Sequence, residues 1–246
     1  MHRTLVTSAK ALSVIMLFAF LVPETMAFRP SPSSIGHSAA KANLSDDNQY
    51  LKITKRMVVT LDKQNTPAPA DSDQAKRLAA LAKDHLDEAG LKLNFKSYLQ
   101  GDVEAFSTPD GSVRFFAGLM NKMTDDELRF IIGREIGHAL LGHSMERART
   151  AYKSLVGTAG AFGQKGIDNS LGNRYRVTRY PYDQEGIADG YAVDFLKRHN
   201  YNLAAAESAM RKLAEMNDPE NGGGGVSSHY TGSVHRADMI HKLITN

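Results

Sequence analysis

The sequence predicts an α+β fold, mostly helical with one small twisted sheet, and three observations carry that reading. A β-hairpin is written in "VEAFSTPDGSVRFFAG", where two runs of strand-forming residues flank the turn Pro109-Asp110-Gly111. Thr124-Asp125-Asp126-Glu127 then forms a capping box, in which Thr124 and Glu127 each satisfy an end amide of a new helix. Leu128, Ile131, Ile132, Ile136, Ala139 and Leu140 follow at helical spacing, so this helix is expected to be buried.

From the N-terminus, residues 1–27 read as a secretory signal peptide. His2, Arg3 and Lys10 make a basic start, "ALSVIMLFAFLV" is the apolar core, and Thr25-Met26-Ala27 offers small residues for cleavage after Ala27. The apolar run is too short to span a bilayer, and Pro23 breaks it, so no stable membrane span is expected after cleavage. Residues 28–70 are rich in Pro, Ser and Ala and read as linker, leaving 71–246 as one domain. Within it Asp71 to Leu86 is an amphipathic helix, with Leu78, Ala79, Ala82 and Leu86 on one face, and "GLKLNFKSYL" alternates like a strand.

Beyond the central helix, residues 150–180 are rich in Gly and small residues and read as a mobile excursion. Helices are expected from Pro181 or Asp183 to Arg198, over Leu203 to Met216, and from Val234 to Ile244 after the break "NGGGG". The chain of 246 residues has a formal net charge of +3 without a basic run, which argues against a nucleic-acid partner. It has no cysteine, which excludes disulfides and thiol chemistry and suits a soluble periplasmic or secreted protein.

The chemistry concentrates in "GREIGHALLGH", residues 133–143. With His in place of Arg134 it would read H-E-x-x-H, in which two histidines one helical turn apart hold Zn²⁺ and the Glu between them serves as base. Positions 134 and 138 lie about 40° apart around a helix and share a face, which Glu135 flanks. A metal here needs a further ligand, and Glu185 is the candidate, with Asp189 one turn on to orient it. His143 lies about 140° from His138 around a continuous helix. It therefore reads as a structural hydrogen-bonding residue unless the helix unwinds at Gly142. His85, His199, His235 and His241 have no ligand-like spacing and are expected to face solvent.

Apart from Arg134, "TDDELRFIIGREIGHALLGHS" resembles the active-site helix of the HtpX and CAAX-prenyl-protease family, gluzincin zinc metallopeptidases. "QEGIADGYAVDFL" resembles its E-x-x-x-D helix, and "VSSHYTGSVHRADMIHKL" its C-terminal Ser-His-Pro segment with the Arg-containing helix after it. The resemblance covers roughly residues 72 to 246 and is closest to the soluble periplasmic branch. It implies a zincin-like fold and zinc-dependent endopeptidase action on unfolded or misfolded envelope proteins, with His138 and Glu185 as metal ligands and Glu135 as general base. It also places His229 near the catalytic centre, as a ligand or an oxyanion stabiliser; a loop histidine is the alternative.

Three departures qualify this. Arg134 replaces a ligand, Tyr230 replaces the Pro after His229, and Glu104 precedes Ala105-Phe106 where the family writes Asn, in an edge strand that would hold a substrate backbone. An Arg134 side chain would point its charge into the zinc position, toward Glu185, Glu135 or Asp189. The expected zinc, one ion per chain, is therefore weak or absent, and the rival function is a non-catalytic protein that binds extended segments in the retained cleft.

Overall fold

Two glycine turns set the small sheet. The computed structural model describes residues 44–156, 163–217, 230 and 232–245. A first hairpin pairs β1 (Asp87–Glu88) with β2 (Leu91–Lys92) through Ala89 and Gly90, both at positive φ. Strand β3 (Asn94–Tyr98) then runs parallel to β5 (Ser112–Phe116), which pairs antiparallel with β4 (Ala105–Ser107), giving the order β3-β5-β4. In the expected turn Gly111 has φ 82°, and a Cβ there would lie 2.0 Å from the Lys92 carbonyl oxygen. Only glycine fits that approach.

Helices cover the sheet. Two precede it, α1 (Leu44–Gln64) and α2 (Asp73–Ala82); α3 (Ala117–Lys122) and α4 (Asp125–Leu140) follow it. The chain continues through α5 (His143–Val156), α6 (Gly163–Val177), α7 (Tyr182–Arg198), α8 (Ala204–Met216) and α9 (Ser233–Thr245). The capping box on α4 forms in both directions, the Thr124 amide donating to Glu127 Oε2 at 2.8 Å and the Glu127 amide to Thr124 Oγ1 at 3.3 Å. Leu128, Phe130, Ile131, Ile132 and Ile136 are all fully buried, so α4 is surrounded, chiefly by α7, α8 and β4. The α+β plan holds. No described helix is long and apolar enough to cross a membrane.

Three expectations are corrected. Much of the 28–70 segment is not linker: α1 buries Tyr50, Ile53, Met57 and Leu61 against Ala148, Ala151, Leu171 and Tyr175. Asp62 fastens α1 to the sheet by accepting from Arg114 Nε at 2.8 Å and Tyr98 Oη at 2.6 Å. The amide of Ala68 even donates to Ser97 on β3 at 2.8 Å. Residues 150–180, read as a mobile excursion, are likewise mostly helical, in α5 and α6; Gly172 within them is a contact, since a Cβ there would lie 2.5 Å from Leu61 Cδ2. The helix expected to reach Leu86 stops at Ala82, leaving Leu86 exposed and turning His85 inward. The signal peptide of residues 1–27, the start of the 28–70 segment and His229 lie outside the described residues.

Leu61→Ala is expected to cost about 2–5 kcal/mol of stability, the range for a large buried aliphatic residue. Urea denaturation checks this, and a midpoint that does not move would restore α1 to the status of a linker.

Candidate active site

The site is built where α4 faces α7. Gly133 and Gly137 lie one turn apart on α4, and a Cβ on either would press to 2.7 Å from Phe195 Cδ1 or 2.9 Å from Tyr191 Cδ1. Their absence of side chains lets the two helices approach closely. The neighbouring face of α4 carries Arg134 and His138, with Glu135 beside them, and the facing turns of α7 carry Glu185 and Asp189. All five are buried.

Arg134 spends its guanidinium on three acids. Its Nη1 donates to Glu135 Oε1 at 3.0 Å and its Nε to Asp189 Oδ1 at 3.2 Å, while Nη2 is paired with Glu185 Oε2. A second buried arginine, Arg236 on α9, grips Asp189 at both oxygens, from Nε at 2.6 Å and from Nη2 at 2.7 Å, and its Nη1 lies 3.1 Å from Glu185 Oε2. The ring of Tyr230 lies under Arg134, 5.3 Å from the guanidinium carbon.

Burial dominates the ionisation of this cluster. It pushes the Glu135 carboxyl up to about 7, although Arg134 and Arg147 pull the other way. Glu185 is also raised by burial, against the attraction of Arg134 and Arg236. Burial, reinforced by Arg134, holds His138 neutral, well below the usual imidazole range. For Arg134 itself burial favours loss of the proton, but Glu185, Glu135 and Asp189 outweigh it and the charge is fixed.

His138 stacks on Tyr180 with ring centres 3.9 Å apart, and its Nδ1 lies 3.1 Å from Nδ1 of His143. The 140° separation applies to an unbroken helix; here α4 ends at Leu140, Gly142 takes φ 79°, and α5 restarts at His143. The helix does unwind there, and His143 serves as the hydrogen-bonding partner of His138. The other ring nitrogen, His138 Nε2, is buried with no hydrogen-bond partner among the described residues, 3.9 Å from Glu185 Oε2.

That orphaned nitrogen and Glu185 are the two donors that a zinc ion would use. The third position holds a guanidinium. A metal beside His138 and Glu185 would have two protein donors and a fixed positive charge bonded to the same carboxylate, one donor fewer than a catalytic zinc normally has. The described residues therefore do not fit a catalytic zinc.

The stretch that contains this helix pair is matched in sequence by known peptidases. A model of peptidase family M48 matches residues 72–236. The chain belongs to peptidase family M48. It is 32% identical over 195 residues to the metalloprotease LoiP of Escherichia coli K12, covering 75% of this chain and 77% of that protein. It is 28% identical over 193 residues to the metalloprotease YcaL of the same organism, covering 74% and 76%. A shorter stretch of 48 residues, 19% of this chain and 9% of the other, is 48% identical to the mitochondrial metalloendopeptidase OMA1 of Bos taurus. Peptidases of family M48 depend on zinc, which sharpens the contrast at Arg134.

Of the residues singled out in the sequence, Glu135, His138, Glu185, Asp189 and Arg134 meet in one cluster. Arg236, the arginine of the C-terminal helix picked out by resemblance, joins them, and Arg147 and Tyr180 complete the cluster without any spacing signal of their own. Glu104 is buried at the end of β4 and paired with Arg176 of α6, whose Nε donates at 2.9 Å. His85 and His199 are not free in solvent: His85 is 1% exposed and bonded to Glu88 and Tyr201.

The raised Glu135 predicts a pH dependence with a definite sign. The folded chain keeps that proton up to about pH 7 while the unfolded chain releases it in the ordinary carboxylate range. The folded state thus binds more protons over this window, and stability falls as pH rises through it. Glu135→Gln is expected to lessen the fall between about pH 5 and pH 7. Urea midpoints measured across that range test it; parallel curves for the two proteins would refute it.

Proposed function

We propose that this chain is a member of family M48 that has lost peptide hydrolysis and acts in the cell envelope by binding extended segments of unfolded or misfolded proteins. One observation carries the first half: the Arg134 guanidinium is held by Glu135, Glu185 and Asp189 in the space between the metal donors. A mobile divalent cation has been exchanged for a permanent monovalent one. Two of the departures from the family pattern, Arg134 and Tyr230, lie in contact. That contact favours a settled arrangement over an isolated lesion.

The binding half rests on β4, an outer strand of the described sheet. Glu104 and Thr108 exchange backbone bonds with β5, so Ala105 and Ser107 between them turn their backbone groups the other way. Tyr175 Oη donates to the Ser107 carbonyl at 2.5 Å, a bond that an incoming peptide amide would replace. Export rests on the basic, apolar and small-residue order of residues 1–27.

A second reading, zinc-dependent endopeptidase action on the same proteins, is favoured by His138 Nε2, which is still aimed at Glu185. It requires a third donor, for which His229 is the candidate. The two readings separate on one experiment. The unsubstituted protein is expected to bind unfolded casein without cutting it. Arg134→His should gain one further zinc and caseinolytic activity, and adding Glu135→Gln should then lower turnover on the order of a hundredfold or more with zinc retained. Metal-dependent cleavage of casein by the unsubstituted protein would overturn the proposal and establish the second reading.

A further inference from the structure

The far end of α7, about 20 Å along its axis from Glu185, carries a second cluster of metal-binding side chains that owes nothing to the peptidase site. His85 follows α2, its amide bonded to the Ala82 carbonyl at 2.9 Å; Glu88 lies in β1; His199 caps α7, its amide bonded to the Phe195 carbonyl at 3.2 Å. His85 Nδ1 is 3.2 Å from Glu88 Oε1, and His199 Nε2 is 3.5 Å from the same oxygen. One donor atom from each residue lies within 4.8 Å of the other two.

The two separations to Glu88 Oε1 are close to those a small divalent ion asks for. With bonds of about 2.0–2.1 Å and tetrahedral angles, neighbouring donors sit about 3.3–3.5 Å apart. Two imidazoles and a carboxylate suit zinc and its first-row neighbours rather than calcium or magnesium, which prefer all-oxygen shells.

The surroundings are prepared for the same task. Tyr201 Oη lies 3.0 Å from His85 Nε2. A phenol hydroxyl can donate or accept, so it serves the ring in either tautomer: it donates to Nε2 while Nδ1–H faces Glu88, and accepts from Nε2–H once Nδ1 holds a metal. The His85 ring is fixed further by Phe195 at 4.6 Å and His199 at 4.5 Å between centres. Burial keeps His85 neutral by lowering its proton affinity, as a ligand must be. The side chains of Glu88 and His199 are 13% and 33% exposed, which leaves one open face for the ion and a water ligand.

We propose that His85, Glu88 and His199 form a second metal site, taking one zinc-class divalent cation with three protein donors and solvent in the fourth position. The ion would clip the β1–β2 hairpin to the C-terminal end of α7. The proposal is independent of whether the peptidase cluster hydrolyses anything.

The test uses the purified protein stripped with chelator, titrated with Zn²⁺ by calorimetry and with Co²⁺ by visible absorption. One site with an intense tetrahedral cobalt spectrum is expected, and Tm should rise by about 5–10 °C at a free zinc concentration a hundredfold above Kd. His199→Ala and Glu88→Gln, at partly exposed positions, should each abolish the spectrum and the Tm rise while far-ultraviolet dichroism is unchanged. His138→Gln should leave both intact. Failure of the stripped protein to bind either ion would overturn the site, as would a metal stoichiometry that His199→Ala leaves unchanged or that His138→Gln reduces to none.

Discussion

Everything at the candidate active site depends on how closely α7 lies against α4. Gly133 and Gly137 give that approach, since a Cβ at either place would collide with an aromatic ring of α7. Close packing brings Glu185 and Asp189 out of water together with Glu135. Three carboxylates in a desolvated space are strongly unfavourable unless positive charge accompanies them. The geometry of two helices thus creates a demand for a cation before any chemistry is considered.

In this chain arginine meets the demand. Arg236 takes both oxygens of Asp189 and reaches Glu185, while Arg134 bridges all three acids and rests on Tyr230. Burial still pushes the Glu135 carboxyl up to about 7, against the pull of Arg134 and Arg147. Arg134 has no exchangeable coordination position and cannot act as a Lewis acid, because its protons are directed at fixed acceptors. An arrangement that neutralises the acids this well is for the same reason poorly suited to receiving a metal. Glu104, also an acid where the family differs, solves its own burial separately through Arg176 on α6, so α6 is fastened beside the outer strand by an ion pair as well as by Tyr175.

The central part of this was legible in the sequence because its signals are local. The Thr124–Glu127 capping box, the apolar period of α4, and the pairs at 134/138 and 185/189 each involve residues within one or two helical turns, where spacing alone fixes direction. Features that were misread depend on distant partners or on averaged composition. The anchors Tyr50, Ile53, Met57 and Leu61 recur at helical spacing, yet they were submerged in a window dominated by Pro and Ser. Gly172 lies in a stretch whose composition reads as mobile, and glycine in a sequence does not announce whether it serves a turn or a contact. His143 is the hydrogen-bonding residue that the sequence suggests, and the positive φ of Gly142 marks where the helix unwinds to bring it to His138. His85 and His199 are over a hundred residues apart, so only the folded chain brings them to one carboxylate.

The contrast between the two ends of α7 bears on how metal in this protein should be read. At the N-terminal end a divalent ion meets two guanidinium groups already bonded to Glu185. At the C-terminal end it meets neutral imidazole, the Glu88 carboxylate and the field of Asp84, with no guanidinium bonded to that carboxylate among the contacts described. Coulomb attraction and donor number both direct an ion to the second place. Zinc found in the purified protein is therefore not by itself a sign of peptidase competence: an ion at His85, Glu88 and His199 is a structural clip about 20 Å along α7 from Glu185. Metal content gains meaning only once it is located, and the substitutions that locate it fall on opposite ends of one helix, far enough apart for their effects to be independent.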